Sequence, residues 1–217
     1  MAEINLLKKY PRTKRNVTVR NVQRSAKNIE IAKQYGREYF DAGRETGYGG
    51  YRYDGRWLPV AETIVEHFGL QPGDRVLDIG CAKGFLIKDL VAVCPRLEVF
   101  GVDLSLYAIS QCVTEVAGRV VVGNAKDLPF PDGGFDVALA INVIHNLERA
   151  ECINALREIE RVASRSYVQV DSWFNEDQKA LFLNWMLTAQ TYFSPAGWKE
   201  LFSEAGYAGD FYWTITE

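Results

Sequence analysis

Short apolar runs alternate with segments of helical periodicity from Arg75 onward, a pattern that predicts a parallel sheet covered by helices. Val, Leu and Ile are dense in these runs without strict alternation, which indicates strands buried on both faces. The predicted strands are RVLDI (75–79), LEVFGV (97–102), RVVV (119–122), FDVALAI (135–141) and SYVQVD (166–171). The predicted helices between them cover 83–93, 105–117, 147–163 and 176–190. The connections are short, so residues 75–171 are expected to form one continuous α/β unit.

The flanking segments add further elements to this unit. Upstream, the pattern predicts helices over 25–41 and 59–69, the second opened by Pro59. Between them, GYGGYRYDGRW (47–57) is too irregular for a helix and too aromatic for a solvated linker, so we expect an ordered loop. Downstream, Ser194 and Pro195 begin a helix that runs to about Ala205, and FYWTIT (211–216) is a terminal strand. The sheet then has six or seven strands, with helices on both faces.

Composition changes this picture mainly at the N-terminus. The 217 residues carry 25 Lys and Arg against 28 Asp and Glu, a net charge of −3. Residues 1–30 hold two acidic side chains and eight basic ones, so the rest of the chain stands at −9; the basic residues are Lys8, Lys9, Arg12, Lys14, Arg15, Arg20, Arg24 and Lys27. This basic arm has three interpretations: a solvated tail, contact with an anionic substrate, or RNA binding. RNA is the least favoured, because few aromatic residues interleave with the charges.

The remaining composition excludes several classes of protein. The cysteines are widely spaced without a C-x-x-C pair, so the sequence predicts neither a metal site nor a redox dithiol. No apolar run approaches the roughly 18–20 residues that cross a bilayer, and residues 1–20 lack the apolar core of a signal peptide. We expect a cytoplasmic monomer or homodimer without a membrane partner. The predicted division is an extension over 1–58, acting as a lid or acceptor-side element, and an α/β domain over 59–217.

The most informative stretch is VLDIGCAKGFL (76–86), in which a strand runs through a glycine turn into a helix. Glycine lets backbone approach a ligand closely, and a helix N-terminus favours negative charge, as in nucleotide-type sites. Asp103 ends the next strand, where a carboxylate can accept hydrogen bonds from both ribose hydroxyls. Gly80 and Gly84 do not match the G-x-G-x-x-G dinucleotide fingerprint. Asp78 precedes the turn and suits the methionine ammonium of S-adenosylmethionine (SAM), so the details favour SAM over NAD.

With these residues in place, the chain resembles a class I SAM-dependent methyltransferase, of the sort related to ubiquinone and menaquinone biosynthesis methyltransferases. The blocks that carry the resemblance are VLDIGCAKG (76–84), GVDLS (101–105), VVGNAKDLPFPDGGFDVALAINVIHNLE (121–148) and, more weakly, FSPAGWKELFSEAGY (193–207). The chain departs from the family pattern at Ala82, where a glycine is usual, and at Asn124, where Asp is commoner. The resemblance implies a Rossmann-like fold and SAM as cofactor, with S-adenosylhomocysteine as product.

The resemblance also implies roles for individual residues. Asp78, Gly80, Cys81 and Gly84 would surround the methionine part of SAM. Asp103 would hold the ribose hydroxyls, although it could instead only stabilise the start of the following helix. The adenine and the space beneath the cofactor would be contacted by Leu104, Asn124, Ala125 and Asn142.

Candidate residues for the acceptor side follow the fourth and fifth strands. His145 is a candidate general base, since its ordinary pKa suits proton transfer near neutrality, or a structural histidine bonded to loop backbone. Asp171 ends the fifth strand, as a second catalytic candidate or a turn carboxylate. The glycine-rich loop offers flat apolar faces with polar ends, which could close over an acceptor or pack the extension onto the domain; these residues are Tyr48, Tyr51, Tyr53, Arg56 and Trp57.

The hypothesis is therefore a SAM-dependent methyltransferase that acts on an oxygen or nitrogen of a small polar metabolite, such as a sugar, nucleotide-linked or phosphorylated compound. A long prenylated acceptor is less favoured, because no amphipathic basic helix for membrane contact is evident. Two alternatives stay open. One is an RNA or protein methyltransferase that docks its partner through the basic arm, and the other is a non-catalytic binding or scaffold protein on the same fold.

Overall fold

The protein is built on one six-stranded parallel sheet. The computed structural model describes residues 1–11 and 15–217. Its strands are β1 (Arg75–Ile79), β2 (Glu98–Asp103), β3 (Val120–Val122), β4 (Phe135–Ile141), β5 (Ala163–Ser172) and β6 (Asp210–Ile215). They lie in the order β3-β2-β1-β4-β5-β6, and every neighbouring pair is parallel. The predicted α/β class is confirmed.

Helices cover the sheet and form the extension before it. They are α1 (Val17–Gln23), α2 (Ala26–Ala32), α3 (Arg37–Phe40), α4 (Leu58–Phe68), α5 (Phe85–Val93), α6 (Leu106–Ser110), α7 (Arg149–Val162), α8 (Glu176–Trp185) and α9 (Pro195–Ala205). Within the described residues, no helix has the length and apolar character to span a membrane.

The core lies on both faces of the sheet, as the unbroken apolar runs predicted. On one face, Leu156 of α7 and Trp198 of α9 pack in a buried cluster with inward residues of β4 and β5. On the other face, Ile64 of α4 and Leu90 of α5 pack with alternate residues of the same strands. Each central strand therefore buries both of its sides, so the sheet edge at the carboxyl ends of the strands is left for chemistry.

Three predicted helices were wrong in extent, each because a contact or backbone conformation overrides the local pattern. The helix predicted over 105–117 ends at Ser110, since Val113 takes an extended backbone and donates its N–H to the Lys83 carbonyl at 3.0 Å. The helix predicted over 25–41 is divided into α2 and α3, because Tyr35 has a left-handed φ of 48°. Similarly, α8 ends five residues early, where Met186 is extended.

The N-terminal residues pack against the domain. Glu3 pairs in parallel with Phe211 of β6, with hydrogen bonds between Ile4 N–H and the Phe211 carbonyl and between Phe211 N–H and the Ala2 carbonyl. Leu6 is fully buried, and α1 packs on α8. Two basic residues of the arm, Arg12 and Lys14, lie outside the described residues. The solvated-tail interpretation does not fit Arg20, which is buried, whereas Lys8, Lys9 and Lys27 are exposed.

Candidate functional site

The turn between β1 and α5 is tight enough to require glycine. Gly80 has a φ of 77°, and a Cβ there would lie 2.1 Å from Val143 Cγ2. Gly84 has the same φ at the start of α5, and its added Cβ would lie 2.6 Å from Val116 Cγ2. Ala82 also adopts a left-handed φ, of 49°, although it carries a side chain. The turn therefore keeps the glycine-type backbone even where the family's central glycine is replaced.

Asp78 places a carboxylate in this turn without a cationic partner among the described residues. Its side chain is buried, and burial, with a smaller contribution from the nearby Asp103 charge, raises its pKa to about 7. An isolated buried carboxylate is costly, and a bound ammonium group would offset much of that cost. The arrangement fits a ligand whose positive charge meets Asp78.

Asp103, at the end of β2, is held by backbone. Its two oxygens accept hydrogen bonds from Ala82 N–H at 2.7 Å and Ser105 N–H at 2.8 Å. Burial raises the pKa of Asp103, while these two hydrogen bonds oppose the rise. A carboxylate oxygen can accept more than one hydrogen bond, so both oxygens keep capacity for hydroxyl donors. The neighbouring Leu104 is 53% exposed, which leaves an apolar surface beside the carboxylate.

The two predicted residues that follow β3, Asn124 and Ala125, make contacts within the protein. Asn124 accepts a hydrogen bond at its side-chain oxygen from Lys126 N–H at 3.2 Å, which closes a turn. Ala125 is buried in the core cluster beneath the sheet. These two residues follow β3, the strand next to Asp103, and the cavity described next is lined by other residues.

A first cavity of about 320 Å³ opens at the carboxyl edge of the sheet. It brings together four of the predicted cofactor residues: Asp78, Gly80, Cys81 and Asn142. The extension covers it with Asn5, Leu7, Tyr10, Pro11 and Arg15 and with the loop residues Tyr48, Tyr51 and Trp57. Tyr51 stacks on Phe85 at the start of α5, with ring centroids 4.7 Å apart.

The other two predicted loop residues lie away from this cavity. Tyr53 donates its hydroxyl to Asp89 Oδ1 at 2.6 Å, and Arg56 is bound to Asp54 within its own loop. Both contacts hold the loop in shape. The structure thus divides the glycine-rich loop into residues that face the cavity and residues that fasten the loop.

A second cavity of about 180 Å³ lies beside the first and contains both catalytic candidates. His145 is buried, and its Nδ1 accepts a hydrogen bond from Asp171 N–H at 3.1 Å. In the neutral ring the proton is therefore on Nε2, which lies 3.4 Å from Asp171 Oδ2. Burial lowers the pKa of His145, and the Asp171 charge opposes this shift. His145 is thus a neutral ring that faces the Asp171 carboxylate.

The two cavities share Arg15, Tyr48, Asn142 and Thr214 along their boundary. Asn142 follows β4 in a left-handed conformation with φ 58°, and its Oδ1 accepts a hydrogen bond from Thr214 Oγ1 at 2.7 Å. Thr214 in turn accepts from Gln169 Nε2 at 2.8 Å. This chain of hydrogen bonds joins the ends of β4, β5 and β6 and fixes the side chains between the cavities.

Several residues of the site were not predicted. The second cavity is lined by Arg44 and Trp185 as well as by Arg15 and Arg20. The sequence indicated a basic arm and the possibility of an anionic substrate, but no local pattern joins positions 20, 44 and 185. Lys83, inside the quoted glycine turn, is buried and forms an ion pair with Asp41 of the extension. A buried lysine in a ligand turn leaves no signal in local periodicity.

The central part of the chain is similar to known methyltransferases. Residues 77–166 match a family model described as a methyltransferase domain. The demethylmenaquinone methyltransferase of Symbiobacterium thermophilum is 34% identical over 154 residues, covering 61% of this chain and 56% of that protein. The malonyl-[acyl-carrier protein] O-methyltransferase of Legionella pneumophila is 35% identical over 75 residues, covering 33% of this chain and 26% of that protein.

A solved structure agrees with the fold. A SAM-dependent methyltransferase from Aquifex aeolicus aligns with a TM-score of 0.52 and 18% identity, over 89% of each chain. The chain spans only about half of the Symbiobacterium relative and a quarter of the Legionella one. The family match runs from β1 to the first residues of β5, and it includes the glycine turn and Asn142 of the first cavity.

Proposed function

We propose that this chain, whose residues 77–166 match a methyltransferase domain, is a class I SAM-dependent methyltransferase that transfers a methyl group from SAM to an oxygen or nitrogen of a small polar metabolite. The observation that carries this proposal is the pair of adjoining cavities. One contains the uncompensated Asp78 carboxylate and the glycine turn, and the other contains His145 and Asp171. Asn142 and Thr214 lie on the boundary of both, where donor and acceptor would meet.

The first cavity and the neighbouring residues, which do not line it, fit the cofactor; those neighbours are Gly84, Asp103, Leu104, Asn124 and Ala125. When bound, SAM supplies a methyl group on a positively charged sulfonium. Asp78 would pair with the methionine ammonium, and the backbone of Gly80, Cys81 and Gly84 would line the methionine part. Asp103 would accept from the ribose hydroxyls, with Leu104 against the adenine and Asn124 and Ala125 at its edge. The shape of the turn and the buried charge of Asp78 support this assignment.

Positioning supplies most of the proposed rate enhancement. Holding two reacting groups in one geometry removes much of the entropic cost of their encounter. Asn142 and Thr214 are fixed by the hydrogen bonds that link β4 to β6. They can therefore contact the acceptor at the boundary between the two cavities and fix its position there. An acceptor oxygen or nitrogen must also lose a proton. Asp171 is the group that we assign to accept it.

His145 then acts as a positioning residue for Asp171. Its Nδ1 lone pair is already engaged by Asp171 N–H, and its lowered pKa keeps the ring neutral at pH 7. The remaining Nε2–H faces the Asp171 carboxylate and can hold it in one orientation. The hydrogen-bonding pattern therefore supports a carboxylate base with a histidine behind it.

The lining of the second cavity supports the proposed acceptor class. Its lining mixes arginine, tyrosine, histidine and carboxylate side chains, and its volume of about 180 Å³ suits a small polar molecule, such as a sugar, nucleotide-linked or phosphorylated compound. The relatives named for menaquinone and acyl-carrier-protein substrates cover only part of this chain, so we do not extend their acceptors to it. The inward direction of Arg15 and Arg20 favours a small acceptor over docking of RNA or protein.

Calorimetry with the full chain tests the proposal. SAM and S-adenosylhomocysteine should both bind, and Asp103→Ala should weaken binding at least tenfold, the loss expected for hydrogen bonds to an ionised group. Absence of binding by either compound would overturn the methyltransferase assignment and favour a scaffold. A metabolite pool incubated with methyl-labelled SAM, followed by mass spectrometry, would then identify the acceptor.

A further inference from the structure

Three arginines converge on the second cavity, and none of them has a carboxylate partner among the described residues. Arg20 is 7% exposed and donates from Nε to the Trp185 carbonyl at 3.2 Å and from Nη1 to the Gly47 carbonyl at 3.1 Å. Its guanidinium lies 4.7 Å from the Trp185 ring, and that of Arg15 lies 5.2 Å from the same ring. Stacking on a ring holds a guanidinium in place without neutralising its charge.

Arg44 is the third member and has no structural explanation. It lines the same cavity, it is exposed, and it forms no hydrogen bond or ion pair within the described residues. Burial lowers the pKa of Arg20, and the positive charges of Arg44 and Arg15 lower it further, with Tyr39 and Glu45 opposing them. The three guanidiniums therefore repel one another across a shared space.

The negative groups near this space do not balance the arginines. Asp171 is the carboxylate that lines the cavity, and it already faces His145. Glu45 is close enough to Arg20 to affect its charge but does not line the cavity. Glu217 lines the first cavity together with Arg15 but does not line the second. The lining of the second cavity therefore has three arginines and one carboxylate. Arginine also presents its donors in a planar fork that matches carboxylate and phosphate oxygens.

We propose that Arg15, Arg20 and Arg44 form a subsite in the second cavity for an anionic group, a carboxylate or a phosphate, of the methyl acceptor. This inference rests on the proposed function, because it assigns the second cavity to the acceptor. It explains why Arg15 and Arg20 line the cavity and why Arg44 lacks a partner among the described residues. It also makes the acceptor a small anionic metabolite, with the methylated atom at the Asn142 and Thr214 boundary.

Titration calorimetry with small probes tests the subsite in the full chain, with S-adenosylhomocysteine present. Benzoate and phenyl phosphate supply the two anion types, and benzamide is the neutral counterpart. Phenyl phosphate or benzoate should bind and benzamide should not. The stronger of the two anions identifies which group the acceptor carries. Binding of benzamide as tightly as the preferred anion, or no binding of either anion, would overturn the subsite.

Arg44→Gln is the decisive variant, because Arg44 is exposed and its loss leaves no buried group unpaired. It should weaken binding of the preferred anion by about tenfold or more, the effect of losing one charge-assisted hydrogen bond. Arg37→Gln is the matched control, since Arg37 is an exposed arginine of the same extension and does not line the cavity. Equal affinity in the Arg44→Gln and Arg37→Gln variants would overturn the proposal.

The subsite and the proposed function fail separately. S-adenosylhomocysteine that binds to a chain without anion affinity would leave the methyltransferase assignment standing and remove the subsite. To cover the converse case, the anions are also titrated without S-adenosylhomocysteine. An Arg44-dependent anion site in a chain that binds neither SAM nor S-adenosylhomocysteine would support the subsite as a binding site and remove the methyl transfer.

Discussion

Lys83 Nζ lies 2.6 and 2.7 Å from the two carboxylate oxygens of Asp41. Lys83 belongs to the glycine turn and Asp41 follows α3, so this ion pair fastens the extension directly onto the turn that we assign to the cofactor. The Tyr107 hydroxyl donates to Asp41 at 2.6 Å, and Lys83 also donates to the Tyr51 carbonyl at 3.2 Å. Opening of the extension over this turn must break these contacts.

Asp41→Asn should therefore destabilise the folded chain by about 2 kcal/mol near pH 7, because it leaves the buried Lys83 ammonium without its counter-charge. Urea unfolding measures this loss.

The loss should depend on pH through the ionisation of Asp41. Burial acts to raise the pKa of Asp41, but hydrogen bonds from Lys83 and Tyr107 outweigh it and lower the pKa. A lowered folded-state pKa stabilises the protein above the unfolded pKa near 4 and loses that effect as pH falls further. The difference in unfolding free energy between the unaltered chain and Asp41→Asn should thus shrink below about pH 4.

Asp54→Asn is the control for this ion pair. Asp54 is exposed and binds Arg56 within its own loop, so its loss should cost under about 0.5 kcal/mol. Limited proteolysis adds a second readout. Cleavage in residues 42–57 should accelerate in Asp41→Asn and stay unchanged in Asp54→Asn. Equal unfolding midpoints for both variants would mean that the Lys83 pair does not fasten the extension.

The glycine turn gives a pair of opposite substitutions. Ala82→Gly should stabilise the chain by about 0.5–1 kcal/mol. The left-handed φ of 49° strains a residue that has a Cβ, and relief of this strain outweighs the entropic cost of the greater freedom of glycine in the unfolded chain. Gly84→Ala should destabilise the chain by about 2 kcal/mol, a typical cost of overpacking, because the new Cβ would lie 2.6 Å from Val116 Cγ2. Thermal unfolding measures both changes. A loss of stability in Ala82→Gly would show that packing of the Ala82 methyl outweighs the strain.

The fold could be predicted from sequence where one local signal decides each element. Unbroken apolar runs gave β1 and β4 with their observed bounds, and Pro195 with Gly206 gave α9. The helices predicted with the wrong extent include one that a contact between distant parts of the chain shortens. The hydrogen bond from Val113 N–H to the Lys83 carbonyl ends α6 early, and periodicity contains no information about it.

The site was predictable where function depends on strand ends. Asp78 and Asp103 stand at the ends of adjacent strands, so the order of elements alone places them near each other. The arginine group was not predictable, because Arg20 stacks on Trp185 only after α1 packs on α8. Charge counting indicated the arm but could not show that Arg15 and Arg20 line a cavity.

Asp78→Asn should stabilise the folded chain while it weakens SAM binding. Burial raises the pKa of Asp78 to about 7, well above the unfolded value near 4. The native state then holds an extra proton between these values, so ionising Asp78 costs stability increasingly as pH rises from about 4 to 7. The gain in Asp78→Asn should be on the order of 2 kcal/mol at about pH 8 and smaller at about pH 5, measured by thermal unfolding.

Calorimetry separates the two consequences of this change. SAM affinity should fall at least tenfold in Asp78→Asn, because the variant lacks the charge for the ammonium. Asp89→Asn is a suitable comparison, since Asp89 is also buried but binds Tyr53 outside both cavities. Its SAM affinity should not change. A stability gain in Asp78→Asn that is constant with pH would contradict the assigned titration.

Substitutions can distinguish the roles of Asp171 and His145 in proton transfer. Asp171→Asn should lower kcat by about 100-fold or more, since it removes the proposed proton acceptor. His145→Asn keeps an oxygen where Nδ1 accepts from Asp171 N–H and removes only the Nε2–H, so kcat should fall by about tenfold.

The pH profile tests the same assignment in the unaltered chain. Burial lowers the pKa of His145 from its usual value near 6.5, so the ring stays neutral at higher pH. We therefore expect no change in kcat from histidine ionisation between about pH 6.5 and 8.5, measured as S-adenosylhomocysteine release with the acceptor recovered by labelling. SAM affinity should be unchanged in both variants, which separates proton transfer from cofactor binding. A loss of kcat in His145→Asn as large as that in Asp171→Asn would instead assign the base to His145, and an inflection in this range would contradict the neutral ring.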